Sequence, residues 1–505
     1  MIATTLKETN LGALLAESDW HSQLSLSELD YRRMAESVET LQHAIARGQK
    51  VYGVTQGFGP LVKYEASASR EDQGLGLISH LASGQGEALL PQVTRYMLWL
   101  RLKGMTRGYS AVPPQAWNRL AAFWNRGFTP VIPRDGSISA SGDLVPLAHA
   151  ALAFAGIGEA WVYEDGTGWA QAPAREVLAS LKLEPYVWSA REALAFVNGT
   201  TASLAVVSVN HQSILSMARC LAALSGRISF LLRTNQQPYA PGVGLVRGQP
   251  GQMQAAEWIR EELRSVATLE PNPGRPLQEI YSLRCAPQVI GAVLDQLAAQ
   301  EDILWHESQG CTDNPIVFED SVLHAGNFHA MPVAFCSDTQ ALCLHQLAFL
   351  AERQLGLLVD PVHNGNKPPL LTPTPGPQSG FAGVQIAATS FVAKIRQLAH
   401  PATLTALPTN LGNQDHVPMA LNGANTVSDL CQYGWLVLAS LALAITQWTH
   451  LDGQQADSES LWGQLQELFE PLDKDRPLAP EVRRAATLLQ DYFNPFSAHG
   501  SSQDN

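Results

Sequence analysis

Residues 131–150 read Val131-Ile-Pro-Arg-Asp-Gly-Ser-Ile-Ser-Ala-Ser-Gly-Asp-Leu-Val-Pro-Leu-Ala-His-Ala150, a Ser- and Gly-rich loop that runs directly into an apolar stretch. The pattern predicts a helix starting near Asp143. Aspartate suits a helix start because its carboxylate can accept backbone N–H groups that the first turn leaves unpaired. The same helix end favours negative charge beside it.

Outward from this segment, helical spacing of apolar residues dominates the chain. Ile290, Val293, Leu294, Leu297 and Leu304 share one helix face, and so do Leu344, Leu347, Ala351, Leu355 and Leu358. Between Leu204 and Leu232 the run is apolar on most sides, which predicts a helix buried inside a bundle. Strand signals are short: Pro315-Ile-Val-Phe, then Glu319-Asp320, then Ser-Val-Leu-His324 reads as a small hairpin. Two segments dense in Pro and Gly, Asn235 to Gly251 and His363 to Gly380, read as long loops. The polar tail from Asn494 to Asn505 reads as frayed. The fold class expected is mostly α, a long helix bundle with minor β hairpins.

The chain has 505 residues, 46% of them hydrophobic and 16% charged, enough to bury a large core. Its net charge is -13 and no stretch concentrates Lys and Arg, so nucleic acid is not an expected partner. Leu144 to Val162 carries His149, Glu159 and several Gly and Ala, and Leu436 to Ile445 is too short for a span; both read as buried core helices, with no membrane partner. The N-terminus lacks the organisation of a secretion signal, and the 6 cysteines are scattered without a C-x-x-C pair, which points to free thiols in the cytoplasm. Neither the cysteines nor the 14 histidines show zinc-ligand spacing, so no metal is expected.

Ala140-Ser141-Gly142 offers a specific chemistry. If the backbone bends tightly, as small residues permit, the Gly142 amide nitrogen can attack the Ala140 carbonyl carbon. Loss of water closes a five-membered ring, and loss of the Ser141 hydroxyl leaves an exocyclic methylidene. Side chains are ordinarily nucleophiles, so such a carbon electrophile does what other enzymes assign to a cofactor. A nucleophile elbow is a second reading of the serine, but it needs G-x-S-x-G after a strand, and position 139 is Ser. The Gly242-Val-Gly244 and Gly248 cluster lacks the strand, helix start and lysine of a nucleotide site.

The longer string Gly136-Ser-Ile-Ser-Ala-Ser-Gly-Asp-Leu-Val-Pro-Leu-Ala-His149 resembles the signature of the histidine, phenylalanine and tyrosine ammonia-lyases and aminomutases, with tyrosine ammonia-lyase the nearest pattern. Further matches follow in order: Tyr52-Gly-Val-Thr-Gln-Gly-Phe-Gly59, Ser79-His-Leu-Ala-Ser-Gly84, Asn198-Gly-Thr200, Tyr281-Ser-Leu-Arg-Cys-Ala-Pro-Gln288, Thr312-Asp-Asn-Pro315, Gly326-Asn-Phe-His329 and Asn413-Gln-Asp-His416. The resemblance implies a methylidene-imidazolone (MIO) formed autocatalytically from Ala140, Ser141 and Gly142, with no metal and no diffusible cofactor. It implies an N-terminal domain over residues 1–200 carrying the ring, a long-helix bundle and C-terminal helical region over 201–505, and a homotetramer whose subunits complete one another's sites.

Tyr52 is implied as the base that removes the substrate β-proton, which needs surroundings that favour phenolate. Arg284 is implied as the carboxylate anchor, its guanidinium fork matching two oxygens. Asn198 and Tyr281 are implied as polar contacts to ring and amine, with Gln278 a weaker carry-over. Phe328 is implied to pack against the ring. Asn314 fits two roles, ring support and an Asx turn before Pro315.

His80, Leu81 and Gln414 bear on the substrate. In the family a His at the first position can bond a polar ring substituent, and His-Leu resembles the tyrosine pattern. Histidine lyases carry Glu where Gln414 stands, whereas His416 resembles the histidine enzymes. L-Tyrosine, giving trans-p-coumarate, is the expected substrate; L-histidine, L-phenylalanine, a 2,3-aminomutase and a non-catalytic scaffold are the alternatives. Gln56, Ser139, Gln309 and Lys394 depart from the family pattern, with Ser139 standing where Gly often precedes the triad.

Overall fold

The computed structural model describes residues 10–164, 166–263 and 272–493. The tail read as frayed lies outside the described residues. The chain is mostly helical, as its periodicity predicts, and is built around long helices at Thr201–Leu232, Ala286–Gln309, Met331–Val359 and Ala420–Leu451. The apolar stripes read from the sequence face inward. Ile290, Leu304, Leu344, Ala351, Leu355 and Leu358 are fully buried, and Thr201–Leu232 is buried on nearly every side.

Two large hydrophobic clusters fill most of the described interior, and a small third joins Leu41, Val51, Val317 and Val322. Of the two large ones, one surrounds Ile214, Leu344, Leu438 and Trp448; the other surrounds Trp117, Phe128, Phe154 and Phe196. The Thr201–Leu232 helix belongs to both, placing Ala202 and Leu204 in the second cluster and Ile214 to Leu232 in the first. Two helical stretches, Ala190–Leu232 and Ala420–Leu451, are long and apolar enough to cross a membrane, but 72% and 78% of their most apolar windows are buried within the fold. Burial by neighbouring helices accounts for that composition, as expected of core helices.

Among the described residues, seven short strands complete the fold. β1 (Gln85–Ala88) pairs antiparallel with β3 (Pro133–Asp135). β2 (Thr129–Pro130), β4 (Glu159–Glu164) and β5 (Gly168–Pro173) form a three-stranded sheet in the order β2-β4-β5. β6 (Ile316–Phe318) and β7 (Ser321–Leu323) form the hairpin read from the sequence.

Two local readings are corrected. The segment Asn235 to Gly251 is not one loop: Pro241–Arg247 and Pro250–Leu263 are helices, each opened by its proline. Proline is tolerated in the first turn, where its missing N–H has no partner to lose, and Gly248 at φ +78° ends the first of them. The stretch Leu144 to Val162 is not one helix either. Helix Leu144–Phe154 stops before Gly156 and Gly158, both at positive φ, and the chain continues into β4. By contrast, His363 to Gly380 holds only the short turn Pro369–Leu371, as a loop should.

Candidate active site

The β1–β3 ribbon places two motifs side by side. Gln85 faces Asp135 and Ala88 faces Pro133, so the chain leaving His80 and Leu81 runs beside the chain entering Gly136. The two backbones touch: a β-carbon on Gly136 would stand 3.2 Å from the Gly84 α-carbon. His149, one helical turn beyond the loop, locks this register by accepting the Gly84 N–H at its Nε2 (3.0 Å). Burial holds the His149 imidazole below its ordinary range, which keeps that acceptor unprotonated.

The loop Gly136 to Gly142 lies over the N-terminal ends of three long helices. Asp143 N–H donates to the Gly199 carbonyl at 2.7 Å, just ahead of Thr201–Leu232. Ala330, capping Met331–Val359, donates its N–H to the Ser139 carbonyl at 3.5 Å. Met419, capping Ala420–Leu451, donates to the Ile138 carbonyl at 3.0 Å. The positive ends of three helix dipoles therefore converge on the loop.

Asp143 acts differently from the sequence reading. It stands at the start of Leu144–Phe154 but its side chain makes no capping bond to that helix. Its carboxylate turns instead to the Thr201–Leu232 helix, accepting from Ser203 N–H (2.7 Å) and Ser203 Oγ (2.8 Å). The other oxygen accepts from Ser139 Oγ (2.7 Å) and Ser137 Oγ (3.1 Å). Burial pushes the carboxyl pKa up, and the four donors counter that push.

Within the loop the chain doubles back between Ala140 and Gly142. Gly142 takes φ +69°, and a β-carbon there would lie 2.4 Å from the Gly199 carbonyl oxygen, so only glycine fits. Asn198 Nδ2 donates to the Ser141 carbonyl (2.7 Å), and Gln414 Nε2 donates to Ser141 Oγ (2.8 Å). Asn198 Oδ1 is buried with no partner, an acceptor reserved beside the bend. A tight bend, a glycine cradle and an orphaned polar atom all fit a ring closed from these three residues.

Tyr52 is half-buried, its ring set edge-on to Phe58. Burial raises its phenol pKa, while the Gly59 N–H, donating to the phenolic oxygen at 2.8 Å, pulls it down. Tyr52 N–H donates to His324 Nε2 at 3.1 Å, which pins the loop carrying Tyr52 to the end of the β6–β7 hairpin. At the end of helix Arg70–Leu81, His80 is exposed and bonds Gly76 carbonyl through Nδ1 (2.9 Å). That bond places the proton on Nδ1 and leaves Nε2 as an acceptor. Leu81 packs on the N-terminal core.

Asn314 does not reach the loop. Its Oδ1 accepts from Ala325 N–H (2.8 Å), bracing the segment that leads to the half-buried Phe328. Gln278, Tyr281 and Arg284 stand elsewhere. Tyr281 is 69% exposed, Gln278 is exposed, and the Arg284 guanidinium stacks on the Tyr281 ring at 4.7 Å. They precede the 24-residue helix Ala286–Gln309, whereas Thr312, just beyond its other end, contacts Thr200. A helix of that length spans about 36 Å. One chain thus separates Arg284 from its own Ala140–Gly142 bend.

Several supporting residues were not singled out from the sequence. Gly199, His149 and His324 act through backbone contacts that residue type alone does not announce. Arg191 forms a buried ion pair with Asp313 and also bonds the Ser110 and Pro315 carbonyls, fixing the Thr312-Asp-Asn-Pro315 turn. Of the departures from the family pattern, Gln56 is buried and bonds the Thr55 carbonyl, Gln309 accepts from Arg107, and Lys394 is exposed.

Comparison with known proteins agrees with this geometry. The family model described as "Aromatic amino acid lyase" matches residues 10–470. The chain is 36% identical to a histidine ammonia-lyase from Aromatoleum aromaticum over 91% of its own length and 88% of the relative's. It is 34% identical to a histidine ammonia-lyase from Idiomarina loihiensis, covering 94% of each. The crystal structure of tyrosine aminomutase from Streptomyces globisporus superposes with a TM-score of 0.87 at 27% identity, covering 98% of both chains. The chain therefore belongs to the aromatic amino acid lyase family.

Proposed function

We propose that this protein eliminates ammonia from an aromatic L-amino acid, using a methylidene-imidazolone ring made from Ala140, Ser141 and Gly142. The observation that carries the proposal is the bend at Ser141, packed against Gly199 and held by Asn198 and Gln414. Once formed, the ring supplies a carbon electrophile for the substrate amine. Tyr52 takes the β-proton; the Gly59 N–H bond stabilises the phenolate this requires. Asn198 holds the Ser141 backbone in place, and the converging helix ends favour negative charge over the loop. Phe328 is proposed to line the same site, with Asn314 bracing the segment that leads to it.

L-Histidine, giving urocanate, is the substrate best supported, because both curated relatives bear that name. L-Tyrosine, expected from His80, Leu81 and Gln414, takes second place. His80 Nε2 can accept from an imidazole N–H as well as from a phenol, so it does not favour tyrosine over histidine. Gln414 still favours the tyrosine reading, since it lacks the charge that would pair with imidazolium. Turnover of L-histidine, L-tyrosine and L-phenylalanine, followed as urocanate, p-coumarate and cinnamate, decides among them. β-Tyrosine among the products would make the protein an aminomutase.

Assembly completes the reading. Gln278, Tyr281 and Arg284 are proposed to serve the Ser141 site of a neighbouring copy in a homotetramer. The separation of about 36 Å along one helix supports this, because these residues cannot reach their own chain's bend. So does an exposed stripe of Phe335, Leu342 and Phe349 at seven-residue spacing on Met331–Val359, which another copy can cover. The unpaired thiols fit a cytoplasmic location.

A further inference from the structure

Ser139 occupies a position that its residue type does not favour. It takes φ +55°, a left-handed conformation in which glycine is easier, and it is completely buried. Its hydroxyl has two partners from different parts of the fold. Leu421, in the first turn of Ala420–Leu451, donates its N–H to Ser139 Oγ at 3.0 Å. Ser139 Oγ in turn donates to Asp143 at 2.7 Å, and Asp143 is held to the Thr201–Leu232 helix by Ser203. The Ser139 N–H is also committed, to Ser137 Oγ at 3.1 Å. Ala140, Ser141 and Gly142 lie entirely between the two ends of the Ser139–Asp143 bridge.

We propose that Ser139 is the positioning residue for ring closure, its hydroxyl clamping the Ala140–Gly142 bend between the Ala420–Leu451 and Thr201–Leu232 helices. The inference rests on the ring chemistry proposed above. In closure, the Gly142 N–Ala140 C bond forms and the amide proton passes to the former carbonyl oxygen. That oxygen then leaves as water with the Ser141 amide proton, giving a carbon–nitrogen double bond. The Ser141 hydroxyl leaves with the Ser141 α-proton as the second water. No outside oxidant or co-reactant is needed. The slow requirement is geometric: nitrogen and carbonyl carbon two residues apart must be pressed together, so loosening either end of the bend lowers the closure rate.

The test compares Ser139→Gly, Ser139→Ala and Ser203→Ala with the wild-type chain, each full length and made by cell-free synthesis. Ser139→Gly removes the hydroxyl while relieving the backbone, and Ser139→Ala removes it without doing so. Ser203→Ala deletes one Asp143 donor but keeps both the Ser139 bridge and the Ser203 N–H bond that ties Asp143 to the helix, so a smaller delay is expected. Maturation is followed by mass of the tryptic peptide 135–175, by near-ultraviolet absorbance of the ring and by far-ultraviolet circular dichroism for folding. Both Ser139 variants should fold and mature about tenfold or more slowly, in keeping with loss of a charge-assisted hydrogen bond. In partly matured samples kcat per chain should fall with ring content while KM holds. Wild-type maturation rates in a folded Ser139→Gly or Ser139→Ala protein, or an equal delay in Ser203→Ala, would overturn the proposal. An unmodified peptide in active wild-type protein would instead remove the ring reading itself.

Discussion

Gly142 and Gly199 approach so closely that a β-carbon on Gly142 would lie 2.4 Å from the Gly199 carbonyl oxygen. That oxygen already accepts the Asp143 N–H at 2.7 Å, so it cannot easily retreat. The bend at Ser141 is thereby trapped between its own helix and the start of Thr201–Leu232. Gly142→Ala should therefore give protein whose 135–175 peptide keeps its unmodified mass and whose turnover is lost. Ordinary ring formation in that variant would show that the contact does not matter.

Tyr52 is proposed as the proton acceptor. Tyr52→Phe keeps the ring and its edge-on contact with Phe58 but removes the oxygen that Gly59 holds. Loss of a general base costs about 10²–10⁴ in rate, so kcat should fall by that factor with ring content unchanged. Because burial raises the phenol pKa above its ordinary value, kcat/KM of the wild type should still be climbing at about pH 9. A plateau from pH 7 onward would remove Tyr52 from this role.

Gln414 touches Ser141 directly, with Nε2 donating to Ser141 Oγ at 2.8 Å. Gln414→Glu places a charged acceptor there. It should raise kcat/KM for L-histidine relative to L-tyrosine by about tenfold, the scale of one charge-assisted hydrogen bond. An unchanged ratio would locate substrate choice elsewhere, with His80 and Leu81 the next residues to change.

The ion pair between Arg191 and Asp313 is buried on both sides, and Arg191 also bonds two carbonyls. Asp313→Asn leaves a guanidinium uncompensated in the interior. Removing one partner of such a pair costs about 3–5 kcal/mol, so the melting temperature should drop by several degrees or more. A drop within experimental error would mean that water or a shift of the Thr312–Pro315 turn rescues the charge.

Four histidines tie stability to pH. Burial lowers the pKa of His149, His211, His324 and His345 below the ordinary value, with the nearby Arg396 adding to the push at His345. In unfolded chain they titrate near about 6.5, so below that pH the unfolded state binds protons that the native state refuses. Stability is then present above about pH 6.5 and is lost as the pH falls toward the native values. His211 should dominate: its Nε2 bonds the Leu297 carbonyl, and its Nδ1 is buried with no partner for an added proton. His211→Gln should flatten the fall in melting temperature between pH 7 and 5.5. An equally steep fall in the variant would assign the effect to the other three.

The long helices were readable in the sequence because their evidence is local: Ile290, Leu294 and Leu297 announce a buried face within a few turns. Prolines misled where position mattered more than type, as Pro241 and Pro250 begin helices that their residue name seemed to forbid. Asp143 was readable as a helix start but not as the cap of a different helix, since Ser203 lies 60 residues away. Ser139 read as a departure from glycine, and only the fold shows what its hydroxyl joins. For Tyr281 and Arg284, the motif named the residues, but not that the helix Ala286–Gln309 would set them apart from their own bend, which is why a second copy is proposed.

The most direct measurement is the mass of the tryptic peptide covering residues 135–175, taken from wild-type protein that is deaminating its substrate. Two waters lost from Ala140, Ser141 and Gly142 make it lighter by about 36 Da, consistent with a cofactor drawn from the chain itself. A peptide of unaltered mass from fully active protein would contradict the account.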